Sequence, residues 1–111
     1  MSYVTDTHAL IGYLVGTLPP RVDKIFQDVE TGGSTAFIPT IVLAECLYLV
    51  EHKKIDVDFS ELLNRIEIGR NFVPTSFNLQ VLKLLPEITL PELHDRIIVA
   101  TTRILGAKLI T

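Results

Sequence analysis

The chain has 111 residues, 48% hydrophobic and 21% charged, with a net charge of −3, which is the size and composition of one compact domain with enough apolar material for a core. No run approaches the roughly 20 apolar residues that cross a bilayer, and no basic N-terminal segment leads into an apolar stretch with a small-residue cleavage site. Cys46 is the only cysteine, which excludes an intrachain disulfide and any structural zinc site that needs two cysteines, and a small core residue is the reading for it.

These properties predict a cytoplasmic protein with no membrane partner. They also lack the basic face usual in nucleic-acid binders. A carboxylate site that binds divalent metal reverses its local field, however, so phosphate substrates stay open.

The first predicted element is a short strand, Ser2 to Thr5, which runs through Asp6-Thr7-His8 into a helix marked by Leu10, Ile11 and Leu14. Pro19-Pro20 stops that helix and starts another, in which Val22, Ile25, Phe26 and Val29 recur at helical spacing until Gly32-Gly33. Thr35 to Ile38 is β-prone. Pro39 and Thr40 then open a long helix containing Ile41 to Val50.

After a polar break at Lys53-Lys54, Leu62, Leu63 and Ile66 predict a helix closed at Gly69, and Asn71 to Pro74 a strand. Phe77 to Leu85 reads as a helix stopped by Pro86, and Leu90 to His94 as an exposed loop. A last helix runs from Asp95 through Ile97, Ile98, Thr101, Ile104 and Leu105 to Gly106, before a final β-prone segment, Lys108 to Thr111. Strands alternating with helices predict an α/β layer fold with a central, mainly parallel sheet flanked by helices.

In such sheets ligands bind beyond the carboxyl ends of the strands, so Asp6, directly after the first strand, is a candidate site residue. It is equally suited to capping the helix that follows. Glu45 has Ile41, Val42, Tyr48 and Leu49 as its helical neighbours, and all read as core-facing or apolar. A buried, unpaired carboxylate costs several kcal/mol or becomes neutral, so Glu45 requires a partner: a metal ion, a hydrogen bond, or a distant cation such as Arg96.

Asp95 has Ile98 and Val99 at the corresponding spacing and faces the same choice, with helix capping or a local pair with Arg96 as the structural alternative. Three carboxylates on apolar faces repel one another without compensating charge. Oxygen ligands without cysteine select a hard cation, Mg²⁺ or Mn²⁺. His8, His52 and His94 lack zinc-like spacing and read as exposed or capping residues.

Three segments, YVTDTHALIGYL (Tyr3 to Leu14), IPTIVLAECLYLVE (Ile38 to Glu51) and LPELHDRIIVATTRILGAKLIT (Leu90 to Thr111), closely resemble the PIN-domain family, in particular its VapC-like bacterial toxins. The resemblance spans residues 1–111 as one PIN-like domain of three-layer architecture. It implies a Mg²⁺- or Mn²⁺-dependent endoribonuclease that hydrolyses RNA phosphodiester bonds.

On the family pattern Asp6, Glu45 and Asp95 are the catalytic and metal-binding acids. Thr5, Thr7 and Thr111 are candidates for hydroxyl support around them. Arg96, with Arg103, Lys53 and Lys54, is a candidate for contact with the RNA backbone. The toxin resemblance further implies a cognate antitoxin protein and a homodimer formed through apolar helix surfaces.

The family's last strand is usually followed within a few residues by another metal-binding Asp, whereas this sequence stops at Thr111. A C-terminally truncated or naturally short form is therefore expected, and a non-catalytic PIN-like interaction module is the alternative reading. A phosphoacceptor receiver domain fits poorly, because Asp6 is followed by Thr7 and Phe72-Val73-Pro74 offers no acceptor Asp.

Overall fold

The structure, a computed structural model, describes residues 1–110. Its centre is a four-stranded sheet of β1 (Ser2–Thr5), β2 (Thr35–Pro39), β3 (Phe72–Thr75) and β4 (Lys108–Ile110), in the order β3-β2-β1-β4. Every pairing is parallel, with Tyr3 opposite both Ala36 and Lys108, and Ile38 opposite Pro74. Parallel strands need crossover connections, and here helices supply all of them.

β1 leads into α1 (Thr7–Val15) and α2 (Pro20–Glu30), and β2 into α3 (Thr40–Glu51) and α4 (Phe59–Ile68). β3 leads into α5 (Leu79–Leu84), a 3-10 turn (Leu85–Glu87) and α6 (Leu93–Leu105). The chain moves from β1 outward to β2 and β3, then returns to place β4 on the other side of β1. The strand order therefore reverses at β1, and the crevice beyond the carboxyl ends of β1 and β4 is where an open α/β sheet binds ligands.

Val4, Leu10, Phe26, Ile38, Val42, Cys46, Ile98 and Ile110 belong to the main core around this sheet. Tyr13 stacks on Phe26 with ring centroids 4.6 Å apart. A smaller cluster joins Val81, Leu85 and Ile88 to Ile97 and Ala100 of α6. Cys46 is 1% exposed, and burial, followed by the neighbouring Glu45 carboxylate, pushes its thiol up to about 11. It is a core residue, as the sequence predicted.

The expected elements all form, but several boundaries move. Asn78 caps α5 by accepting from the Val81 amide at 3.1 Å, so this helix starts two residues after Phe77, which stays outside it. Pro86 does not stop the chain dead. It sits within the 3-10 turn, where the fixed proline φ is tolerated near the start of a helical segment.

α6 begins at Leu93 rather than Asp95, with Glu92 as its N-cap, so the predicted loop ends two residues sooner. Pro74 lies in β3, an edge strand, where its missing donor leaves no interior ladder bond open. The predicted extension of β4 to Thr111 falls outside the described residues.

Candidate active site

Asp6 occupies the turn from β1 into α1. It is the N-cap of α1, and its Oδ1 accepts from the Ala9 amide at 2.8 Å. This is the capping role that the sequence held open, and it leaves Oδ2 for another partner. Thr5, fully buried, donates its hydroxyl to the Asp6 carbonyl at 3.0 Å, so it fixes the backbone of the turn rather than the carboxylate.

Thr7, buried at the first position of α1, donates to Glu45 Oε1. That single short bond joins two segments 38 residues apart in sequence and fastens α3 to the β1–α1 turn. Thr111 lies outside the described residues.

Glu45 is half-buried, not enclosed. Val42, Leu43 and Cys46 form the buried stripe of α3, whereas Ala44, Leu47 and Tyr48 are exposed, Tyr48 to 57%. The expectation that Tyr48 faces the core is therefore corrected, Leu49 being half-buried: Glu45 stands on the border between the buried stripe and an open face. Its partner is a threonine hydroxyl, and the cation alternative fails, because the only salt bridge among the described residues joins Arg65 to Glu30.

Asp95 is exposed at the third position of α6. It neither faces the interior nor caps the helix. A carboxylate there interacts favourably with the positive end of the helix dipole. Arg96 pairs with neither acid: its Nη2 donates to the Leu85 carbonyl at 3.1 Å, tying the first turn of α6 to the 3-10 turn, and its Nε is buried with no partner among the described residues.

Arg103, Lys53 and Lys54 are exposed. Each stands eight or nine residues further along its helix or beyond it than the acid on the same segment, a displacement of about 12 Å at helical rise.

Topology explains why the three acids share one end of the sheet. α3 starts where β2 ends, and α6 delivers the chain to the amino end of β4, so both helices begin near the carboxyl ends of the strands. A cavity of about 340 Å³ opens between them, lined by Ile41, Ala44, Glu45 and Tyr48 of α3 and by His94 of α6.

His94, which the sequence assigned to solvent exposure, is exposed but also forms a wall of this cavity beside Asp95. The ring of Tyr48 stacks on His52 one turn later, with centroids 4.0 Å apart. Spacing of four residues was the available signal for that pair.

The donor chemistry suits a hard ion that keeps much of its water. Mg²⁺ is commonly held by one or two carboxylates together with water and phosphate oxygens, and Asp6 and Glu45 are such carboxylates. Among the described residues no set of three or more His, Cys, Asp or Glu side chains converges closely enough to enclose a metal ion, so Asp95 does not complete a cage with the other two.

A larger cavity, about 610 Å³, lies at the opposite end of the sheet between Glu30, Arg65, Arg70 and Phe72. Its Arg65 is already paired with Glu30 at 2.9 Å. No helix among the described residues is long and apolar enough to cross a membrane.

The fold is shared with solved structures. One chain of the crystal structure of VapBC2 from Rickettsia felis bound to a DNA fragment from their promoter superposes with a TM-score of 0.71 at 17% identity, over 98% of this chain and 85% of that one. No curated protein matches the sequence. The family model for the PIN domain matches residues 3–111, which contain the β1–α1 turn, the whole of α3 and the whole of α6, and the chain belongs to the PIN domain family.

Proposed function

We propose that this protein is a VapC-like nuclease that hydrolyses RNA phosphodiester bonds with Mg²⁺ or Mn²⁺, the toxin of a toxin–antitoxin pair. The observation that carries the reading is the hydrogen bond from Thr7, next to Asp6 in the chain, to Glu45 at the strand-order reversal, with no salt bridge to either carboxylate among the described residues. Asp6 and Glu45 would hold the ion, and Asp95 is the third acid of the family pattern. When bound, the ion would lower the pKa of water and offset charge on the phosphate.

The chain's own residues supply orientation. Thr7 fixes the Glu45 carboxylate, the Asp6 cap sets the angle of the turn, and the Arg96 tie holds the first turn of α6 against the 3-10 turn. Exposed apolar side chains on and around α5, namely Phe77, Leu79, Leu82, Leu90 and Leu93, suit a second copy of the chain or an antitoxin segment. The VapBC2 neighbour, a complex, supports a protein partner.

The absence of a three-donor set among the described residues favours a second reading, a PIN-like interaction module without catalysis. Two measurements separate the readings. Mn²⁺ is titrated calorimetrically into the parent, Asp6→Asn and Glu45→Gln, with folding checked by circular dichroism, and cleavage of single-stranded RNA is followed alongside.

Asn replaces Asp well as an N-cap, so Asp6→Asn should fold normally. It should lose saturable Mn²⁺ binding and at least about a hundredfold in cleavage rate, the scale of losing electrostatic stabilisation at a reacting centre. Cleavage retained by either variant would sink the nuclease assignment to these residues.

A further inference from the structure

We infer that the cavity between α3 and α6 is a nucleobase pocket, in which the exposed ring of Tyr48 stacks on an unpaired base of the RNA beside a phosphate whose counter-ion Glu45 faces. The inference rests on the nuclease reading only for the class of polymer.

Glu45 and Tyr48 are three residues apart on one helix and line the same cavity. Side chains at that spacing lie about 5–6 Å apart at Cβ, a step comparable to that between the phosphate and the base of one nucleotide. The volume of about 340 Å³ falls at the lower end of the range of small-molecule sites, which suits one base and not a helix or a strand of protein.

The lining has the required chemistry. Ile41 and Ala44 give apolar walls, Tyr48 a π-face, and His94 a second ring on the α6 side. His52 stacks on Tyr48, which covers one face and limits the ring's rotation. Such a preorganised aromatic is what sequence-tolerant single-strand binding uses.

An apolar side chain from a protein partner fits less well. It would strip water from Glu45, whose hydrogen-bond partner is the Thr7 hydroxyl, without bringing a positive charge, and desolvating a carboxylate unpaired is unfavourable. A nucleotide arrives with its own counter-ions at the phosphate and a flat apolar base one step away.

The test is fluorescence anisotropy of end-labelled single-stranded RNA eight-mers, oligo(A) and oligo(U), titrated with the parent, Tyr48→Phe and Tyr48→Ala. Ca²⁺ is used as the only divalent ion, and sedimentation is run on the same samples. The parent and Tyr48→Phe, which keeps the ring, should bind alike.

Tyr48→Ala should bind about tenfold more weakly. That difference should vanish on an abasic strand of the same length. Equal binding by parent and Tyr48→Ala, or no binding by the folded parent, overturns the pocket. So does a Tyr48→Ala variant that changes self-association and leaves RNA binding intact, because the face is then a protein interface.

Cleavage with Mn²⁺ separates the two readings. A Tyr48-dependent binder that cleaves nothing retains the pocket and loses the nuclease, whereas a cleaving enzyme indifferent to Tyr48 does the reverse.

Discussion

The two ends of the sheet place charge in opposite ways. At the amino end, the cavity bounded by Glu30, Arg65 and Arg70 is the larger, but its acid and base satisfy each other across 2.9 Å, and both side chains are exposed. At the carboxyl end the cavity is smaller, and Glu45 there has a buried threonine hydroxyl as its partner and no salt bridge among the described residues. Cavity size alone would select the amino end. An unneutralised carboxylate held by a fixed neighbour is the stronger sign of a site, because such charge is retained only where a ligand or water can offset it.

Each end also contains an acid-forming group, buried at Cys46 and half-buried at Tyr13, kept neutral beside a carboxylate. Burial first, then Glu45, raises the Cys46 thiol to about 11 from its ordinary 9. Burial first, then Glu30, raises the Tyr13 phenol above its ordinary range. In both cases the folded state binds the proton more tightly than the unfolded chain, so folding stability should fall as pH rises through the unfolded values, beginning near pH 9.

For Cys46 the loss approaches on the order of 2 kcal/mol by pH 11, the largest of the effects expected here. Urea denaturation at pH 7, 9 and 10.5 measures it. Cys46→Ala and Tyr13→Phe should each flatten the slope, and an unchanged slope in both would disconnect the alkaline loss from these groups.

Thr7→Val tests the carboxyl end directly. Removing the hydroxyl should cost about 1 kcal/mol of stability and, on the proposed function, about tenfold in RNA cleavage, because Glu45 loses its fixed position. Denaturant midpoints and single-turnover rates report the two effects separately. A stability loss with unchanged cleavage would mean that the bond only fastens α3 to α1.

The smallest effect belongs to the amino end. Glu30→Gln breaks an exposed ion pair and should change stability by less than about 1 kcal/mol, with cleavage unaffected. A clear loss of cleavage would bring the larger cavity into substrate binding and dissolve the contrast between the two ends.

Much of the arrangement was legible in the chain. Asp6 follows a β-prone stretch and precedes an apolar helix, so its place at a strand end needs only local reading. Glu45 stood out as a carboxylate among apolar neighbours, and that pattern located the border of a cavity even though the inferred burial was too deep. Ile41 and Tyr48 read as core-facing or apolar because apolar side chains facing a core and apolar side chains facing an open pocket have the same periodicity.

Asp95 was misplaced for a related reason. Its spacing to Ile98 and Val99 is that of an inward-facing residue, but it stands in the first turn of a helix that starts at Leu93, and it is exposed there. Element boundaries depend on which cap wins, and Glu92 after Pro91 offered no side-chain cap to announce itself. Arg96 was a candidate partner for an acid on charge alone, whereas packing turned its guanidinium to the Leu85 carbonyl.

The sequence by itself determined the alternation of strands and helices and the parallel sheet, because periodicity, caps and proline positions act over a few residues and need no distant partner. Tertiary structure alone decided that Thr7 bonds Glu45, that His94 faces Tyr48 across a cavity, and that Arg65 and not Arg96 finds a carboxylate. Those pairings join segments separated by tens of residues. They depend on strand order and helix direction, which bring remote side chains within a few ångströms and which no local pattern encodes.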